Sequence, residues 1–266
     1  MEQTFTTPMT SPKDTQPGRP IDLSIVIPAY QEAAIISDSL GSLAKWLDKH
    51  DYGVVEVVVV VADSPDGTAD LARVQSSKFE HFLLVEPGHR VGKGRDVRSG
   101  ILHASGRYRL FMDADLATPL VHLDDVAKLM SVHADVGIAV RNLARIHPGI
   151  KRRVVSEIGN LLAQIVLLPG IHDTQCGFKV FRADVAEAVF RRLTILGWGF
   201  DLEVLAITRK LGYKITTFNV PDWTDPKAAT AGLASDSVVD AAMQTFGDLI
   251  RIRLNLWSGA YRSPEK

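Results

Sequence analysis

Seven valines broken only by Glu56 run from Val54 to Val61. β-Branched residues favour extended backbone, and a strand without polar alternation has both faces covered. That combination belongs to a parallel sheet sandwiched between helices, and the rest of the chain must supply them. Leu23–Ala29, stopped by Pro28, predicts a first buried strand, and Glu32–His50 carries Ile35, Ile36, Leu40, Leu43, Trp46 and Leu47 at helical spacing. After the valine run, Asp66-Gly-Thr opens a helix to about Ser77, with Asp66 or Thr68 available as its cap. Phe79–Val85 is a third strand, Gly94–Ser105 a helix, and Tyr108–Met112 a fourth strand running into Asp113-Ala-Asp115. Strand and helix in alternation predict a three-layer, mostly parallel α/β sheet.

Beyond this point the pattern loosens. Helices are predicted over Pro119–His133, Val154–Leu168, Ala183–Arg192, Leu202–Leu211 and Val238–Trp257. Strands are predicted over Val136–Val140, Phe178–Phe181 and Lys214–Val220. The expected organisation is a tail over residues 1–20, one α/β domain over 21–233, and a C-terminal amphipathic helix and tail over 234–266. The tail is rich in Thr, Pro, Ser and Gln and is expected to be disordered. It lacks the apolar core of a signal peptide, and no apolar run approaches the ~18 residues that span a bilayer. A single cysteine, Cys176, excludes an internal disulfide and a cysteine-rich zinc site, and fits a reducing, cytoplasmic setting. Thirty Lys and Arg against 31 Asp and Glu leave no excess charge for binding nucleic acid.

In an open parallel sheet, ligands bind beyond the carboxyl ends of the strands. Here those ends read Pro28-Ala-Tyr-Gln-Glu32, Asp63-Ser-Pro-Asp66, Glu86-Pro-Gly-His-Arg90 and Asp113-Ala-Asp115. Asp113 and Asp115, two positions apart, point the same way in extended backbone and call for a cation between them. A hard divalent ion completed by substrate phosphate meets that need, Mg²⁺ or Mn²⁺. The plain alternative is a turn whose aspartates cap the helix near Pro119. Gly92-Lys93-Gly94 suits a phosphate, yet neither a P-loop nor a dinucleotide fingerprint follows the first strand, which argues against an ATPase and an NAD enzyme. Arg141, Arg145, Lys151, Arg152 and Arg153 stand in a stretch without acids, either as a solvated face or as an anion site. Asp173, Asp201 and Glu203 sit among apolar residues and belong either to a site or to salt bridges with Arg182 or Arg192.

Four motifs in order, Ser24-Ile-Val-Ile-Pro-Ala-Tyr-Gln-Glu32, Asp63-Ser-Pro-Asp-Gly-Thr68, Leu110-Phe-Met-Asp-Ala-Asp-Leu-Ala-Thr-Pro119 and Asp173-Thr-Gln-Cys-Gly-Phe-Lys179, give the chain a family likeness. It resembles the inverting family 2 glycosyltransferases of GT-A fold, in the branch of dolichyl-phosphate β-glucosyltransferase and dolichyl-phosphate mannosyltransferase. The resemblance covers about residues 22–225. It implies a single GT-A domain in which Pro28, Ala29, Tyr30, Glu32, Asp63, Lys93, Asp113 and Ala114 hold a nucleotide-sugar. It also implies that Asp113 and Asp115 hold the metal on the diphosphate, and that Asp173–Lys179 lines the sugar and acceptor side. The second-strand motif is one residue shorter than the family's usual form and has one acid fewer, which leaves UDP and GDP both open.

The expected reaction is transfer of a hexose, glucose from UDP-glucose, to a polyprenyl or dolichyl phosphate, with Arg141, Lys151, Arg152 and Arg153 receiving the acceptor's phosphate. A phosphate acceptor needs no general base, whereas a hydroxyl acceptor would use Asp173 or Asp201. GDP-mannose as donor and a soluble hydroxyl acceptor remain alternatives. Further rivals are a sugar nucleotidyltransferase, which would carry a glycine-rich loop after the first strand, and a non-catalytic nucleotide-sugar binder. Met243, Phe246, Leu249, Ile250, Leu254 and Trp257, with Arg251, Arg253 and Arg262 nearby, predict a peripheral contact with the cytoplasmic face of an anionic membrane.

Overall fold

The computed structural model describes residues 19–141, 167–171, 173–224 and 236–262, the last from 246 onward with side chains. Its strands are β1 (Leu23–Ala29), β2 (Val55–Val61), β3 (His81–Val85), β4 (Tyr108–Met112), β5 (Val136–Arg141), β6 (Phe178–Arg182) and β7 (Ile215–Val220). The helices are α1 (Ile36–Leu47), α2 (Thr68–Val74), α3 (Lys93–His103), α4 (Leu123–Ser131), α5 (Ala183–Phe190), α6 (Phe200–Lys210) and α7 (Asp236–Ser258). Among the described residues one seven-stranded sheet runs β3-β2-β1-β4-β6-β5-β7. Its first four strands are parallel, β6 lies antiparallel between β4 and β5, and β7 pairs parallel to β5.

The valine strand behaves as its composition dictates. Val58 and Val60 enter one core with α3, α5 and α6, while Val57, Val59 and Val61 enter the other with α1. Glu56 sits at the strand's start and accepts hydrogen bonds from Ser24 Oγ, Ser105 N and Ser105 Oγ, at 2.5, 2.9 and 2.9 Å. Its charge therefore costs the core nothing. The α7 helix shares the first core through Leu249 and Ile252, as does Tyr261 just beyond it.

The ends of elements differ from expectation for local reasons. The first helix starts at Ile36 rather than Glu32, and the amides of Gln31, Glu32 and Ala33 donate instead to side chains between β2 and the start of α2. The cap position of α2 is Gly67, in left-handed backbone at φ 83°, rather than Asp66 or Thr68. Asp66 still accepts the Thr68 N–H, at 3.2 Å. The stretch predicted as one helix from Pro119 splits into a 3₁₀ turn over Leu120–His122 and α4. Of the helix expected over Val154–Leu168, residues 154–166 lie outside the described residues, and Leu167 and Leu168 are non-helical and buried.

β1 is the switch point of the sheet. β2 leaves it on one side and β4 on the other, which opens a crevice at their carboxyl ends.

Candidate functional site

Three consecutive backbone amides build the first wall of that crevice. Gln31 N donates to Ser64 Oγ at 2.9 Å, Glu32 N to Thr68 Oγ1 at 3.0 Å and Ala33 N to Asp66 Oδ2 at 3.0 Å. Burial alone would raise the Asp66 carboxyl, but donors from Thr68, Ala33 and Ser64 outweigh it and hold the group well below the usual carboxylate range. Gln31 needs φ 56° to reach this arrangement, and Leu116, just past β4, has φ 54°. Two strained non-glycine residues thus lie at the same edge of the sheet, where strain commonly accompanies function. Pro28, Ala29, Tyr30 and Glu32 follow one another here, the Arg90 guanidinium stacks 3.7 Å over the Tyr30 ring, and Asp63 N donates to the Gly88 carbonyl at 3.0 Å.

β4 ends at Met112, so Asp113 and Asp115 stand in a turn rather than in extended backbone, with Ala114 buried between them. Asp115 Oδ1 accepts the Ala117 N–H at 3.2 Å, which shapes the turn. Asp113 Oδ1 accepts Lys93 Nζ at 2.5 Å, in a pair whose side chains keep 31% and 16% of their exposure. Burial pulls the Lys93 ammonium down, but Asp113, Asp201 and Asp115 together raise it, so the lysine is a fixed cation facing three carboxylates. Among the described residues no three His, Cys, Asp or Glu side chains group to hold a metal. Two carboxylates on one turn still fit a hard ion that takes its remaining oxygens from a bound phosphate and water.

Asp113 also needs Gly177. A Cβ there would stand 1.9 Å from Asp113 Oδ2, and Asp113 N donates to the Gly177 carbonyl at 3.1 Å. The glycine brings the end of β4 against the start of β6, and with it the second pair of charges.

Asp173 is bound on both oxygens by Arg141, through Nε at 2.8 Å, Nη2 at 2.9 Å and the backbone N–H at 2.9 Å. Burial would raise the Asp173 carboxyl, yet Arg141 holds it below its ordinary value. Trp223 lies 5.0 Å from the Arg141 guanidinium. Asp201 is 4% exposed and joined to Lys179, which is fully buried and also donates to the Cys176 carbonyl at 2.7 Å. Burial pushes the Asp201 carboxyl up against the pull of Lys179 and Lys93. Cys176 is buried, with its thiol pushed up to about 11 by burial, so it is a packed thiol and no nucleophile.

The expected salt bridges to Arg182 and Arg192 are replaced by these partners. Arg182 joins Asp135 and Asp184, Arg192 donates to the Ala188 and Tyr261 carbonyls, and Glu203 is held by neutral donors from Thr194, Ile195 and Tyr261. A buried carboxylate takes the nearest group that fits, which sequence distance does not reveal. Arg145, Lys151, Arg152 and Arg153 lie outside the described residues.

The crevice thus gathers Pro28–Glu32, Asp63, Lys93, Asp113, Ala114 and Asp115 at the edge of the parallel strands, with Arg141, Asp173 and Asp201 across from them. Sequence reasoning placed Gly177 and Lys179 only within a segment lining the acceptor side, and gave no role to Trp198, whose ring lies 5.3 Å from Lys93 Nζ. Lys179 left a trace, as the lone charge inside the apolar strand Phe178–Phe181. A tryptophan flanked by Gly197 and Gly199 was the other.

On the α7 side, Leu249 departs from the expected surface stripe and packs into the core with Ile252. Phe246, Ile250, Leu254 and Trp257 remain exposed, between 47 and 69%. Among the described residues no helix is long and apolar enough to cross a membrane.

Comparison with known proteins agrees with this geometry. The model of the family described as glycosyl transferase family 2 matches residues 24–190. A Saccharomyces cerevisiae protein named dolichyl-phosphate beta-glucosyltransferase is 30% identical over 94% of this chain and 80% of its own length. The Drosophila melanogaster protein of that name is 31% identical, covering 84% of this chain and 74% of its own. Among solved structures, glucosyl-3-phosphoglycerate synthase from Mycobacterium tuberculosis, in complex with Mn²⁺, UDP-glucose and phosphoglyceric acid, superposes with TM-score 0.62 at 18% identity. That match covers 90% of this chain and 86% of the other, and shows a shared GT-A fold. The parallel sheet with its carboxylate-bearing edge, the family match and the relatives at 30% identity or more agree: the chain is a glycosyltransferase and belongs to glycosyl transferase family 2.

Proposed function

We propose that the chain transfers glucose from UDP-glucose to a polyprenyl phosphate of the dolichyl type. One observation carries this reading: both acids available as a base on the acceptor side are consumed in ion pairs, Asp173 with Arg141 and Asp201 with Lys179. A hydroxyl acceptor would need one of them free. A monophosphate ester, with its second pKa near ~6, is already largely a dianion at neutral pH and brings its own nucleophile. One of its oxygens forms a bond to the anomeric carbon as the bond to the nucleoside diphosphate breaks on the opposite face, and no proton has to move. The printed names of the relatives from Saccharomyces and Drosophila support the same sugar and acceptor.

Each group has a part in that step. Pro28–Glu32 and Asp63 border the nucleoside, and Lys93 meets the diphosphate. Arg141, aimed by Asp173, meets the acceptor's phosphate, with Lys151, Arg152 and Arg153 as a further anion site read from sequence. Asp113 and Asp115 would hold Mg²⁺ or Mn²⁺, which when bound supplies charge neutralisation to the departing diphosphate. Mn²⁺ and UDP-glucose in the Mycobacterium tuberculosis structure favour this pair of ligands.

An acceptor embedded in a bilayer also requires contact with its surface. The exposed Phe246, Ile250, Leu254 and Trp257, with the exposed Arg251 and Arg253 beside them, suit the headgroup region of an anionic leaflet. Purified protein is offered UDP-glucose or GDP-mannose, with dolichyl phosphate or a simple sugar alcohol, in Mn²⁺ and in EDTA. Transfer from UDP-glucose to dolichyl phosphate in Mn²⁺ alone is the expected result. Transfer to the alcohol instead refutes the phosphate acceptor, and activity retained in EDTA refutes the metal.

A further inference from the structure

The segment Leu193–Gly199 joins α5 to α6 and lies against the Gly92-Lys93-Gly94 turn. The Leu196 carbonyl accepts the Arg95 N–H at 3.1 Å. A Cβ at Gly92 would stand 2.5 Å from that same carbonyl oxygen, and one at Gly94 would stand 2.9 Å from the Ile195 carbonyl oxygen. Turn and segment therefore meet backbone to backbone, and neither shifts without the other. Trp198, on the segment, covers Lys93 itself.

What fixes the segment comes from the far end of the chain. Glu203, fully buried, accepts Thr194 N at 2.9 Å, Thr194 Oγ1 at 2.6 Å, Ile195 N at 2.6 Å and Tyr261 Oη at 2.5 Å. Four neutral donors satisfy a carboxylate whose burial would otherwise be costly. Tyr261, 1% exposed, also accepts Asn255 Nδ2 at its hydroxyl, at 3.1 Å, and Arg192 Nε at its carbonyl, at 3.1 Å. At the other end of the segment, a Cβ on Gly199 would stand 2.0 Å from Asp248 Oδ2 on α7. Residues 248–261 thus grip the segment at both ends.

We infer that Glu203 and Tyr261 are positioning residues, a latch through which the C-terminal helix holds the 193–199 segment and so aims Lys93 at the donor's diphosphate. The inference rests on the reading that Lys93 meets that diphosphate. Removing the tyrosine hydroxyl leaves the carboxylate one donor short, loosens Thr194 and Ile195, and lets the lysine turn drift. The effect falls on donor binding, because among the described residues these contacts run from Tyr261 to the lysine turn and include neither Arg141 nor Asp173.

Steady-state kinetics on the full chain test it, with Tyr261→Phe, Lys93→Ala and the double variant, varying UDP-glucose and dolichyl phosphate separately. Thermal melting checks the fold. The expected result for Tyr261→Phe is a donor KM raised about fivefold with acceptor KM unchanged, and no further rise when the substitution is added to Lys93→Ala. Asn255→Ala, which removes a donor to the tyrosine, raises donor KM less and serves where Tyr261→Phe melts too low to assay. An unchanged donor KM in both of these variants, or the same fivefold factor in the Lys93→Ala background, overturns the latch alone. An unchanged donor KM in Lys93→Ala overturns the assignment of Lys93 and takes the latch with it.

Discussion

Along β3-β2-β1-β4 the carboxyl edge spends polar side chains on backbone amides, and its Lys93–Asp113 pair stays partly open to solvent, at 16 and 31% exposure. Where β5 and β6 face the crevice the acids are closed off instead, Asp201 at 6% against Lys179 at 0%, and Asp173 at 2% against Arg141 at 17%. A partly open pair can exchange its partner for a ligand at smaller cost. A closed one cannot, since parting it strands a charge without water. On the proposed function, the first half suits the uptake and release of a charged donor, and the second holds an arginine still for an anion.

The sharpest way to break this contrast is to open a closed pair. Lys179→Met should leave Asp201 buried without its ion-pair partner, at a cost of about 3–5 kcal/mol in stability by denaturant titration. The double variant Lys179→Met with Asp201→Leu should recover much of the loss. Asp115→Asn, in the open half, should leave the melting temperature unchanged and lower kcat/KM about 100-fold, ~2.7 kcal/mol of barrier. A variant that kept metal-dependent activity would remove Asp115 from the metal. Gly177→Ala, at the seam between the halves, presses a methyl group onto Asp113, and a loss of about 10-fold in turnover, ~1.4 kcal/mol, is expected.

The smallest effect concerns pH. Burial lowers the His122 imidazole, but Asp222 and Asp125, bonded to its two nitrogens, outweigh that and raise it above its ordinary value of 6.5. Its contribution is fully present below pH ~6.5 and fades as pH climbs through the raised folded value. His122→Gln should therefore lower stability at pH 6 by less than about 1 kcal/mol and narrow the gap between pH 6 and pH 9. The Arg141–Asp173 pair runs the other way. Its carboxyl is depressed, so its share is present above pH ~3.9 and drains as pH falls through the folded value.

The sequence carried the parallel half almost residue by residue, because valine runs and strand-end motifs are local signals. Tyr108–Met112 was read with its observed limits, and the crevice at Asp113 followed from the order of strands. Two kinds of information were absent. The antiparallel insertion of β6 between β4 and β5 is a long-range choice that neither periodicity nor loop length encodes. The partners of Asp173, Asp201 and Glu203 depend on packing between residues 32, 22 and 58 positions apart, and a charge among apolar neighbours announces only that it must be paired.

β6 also sets a timetable. Four strands and their helices precede residue 113 in the chain, and they can pair while the remainder is still being synthesised. Asp113 cannot take its place then, because the carbonyl that receives its amide and the glycine that seats its carboxylate belong to residue 177. β5 and β7 reach the parallel strands only across β6. A nascent chain therefore acquires its parallel edge early and its acidic turn late, and the order of translation delays a complete crevice until residue 177 has been made.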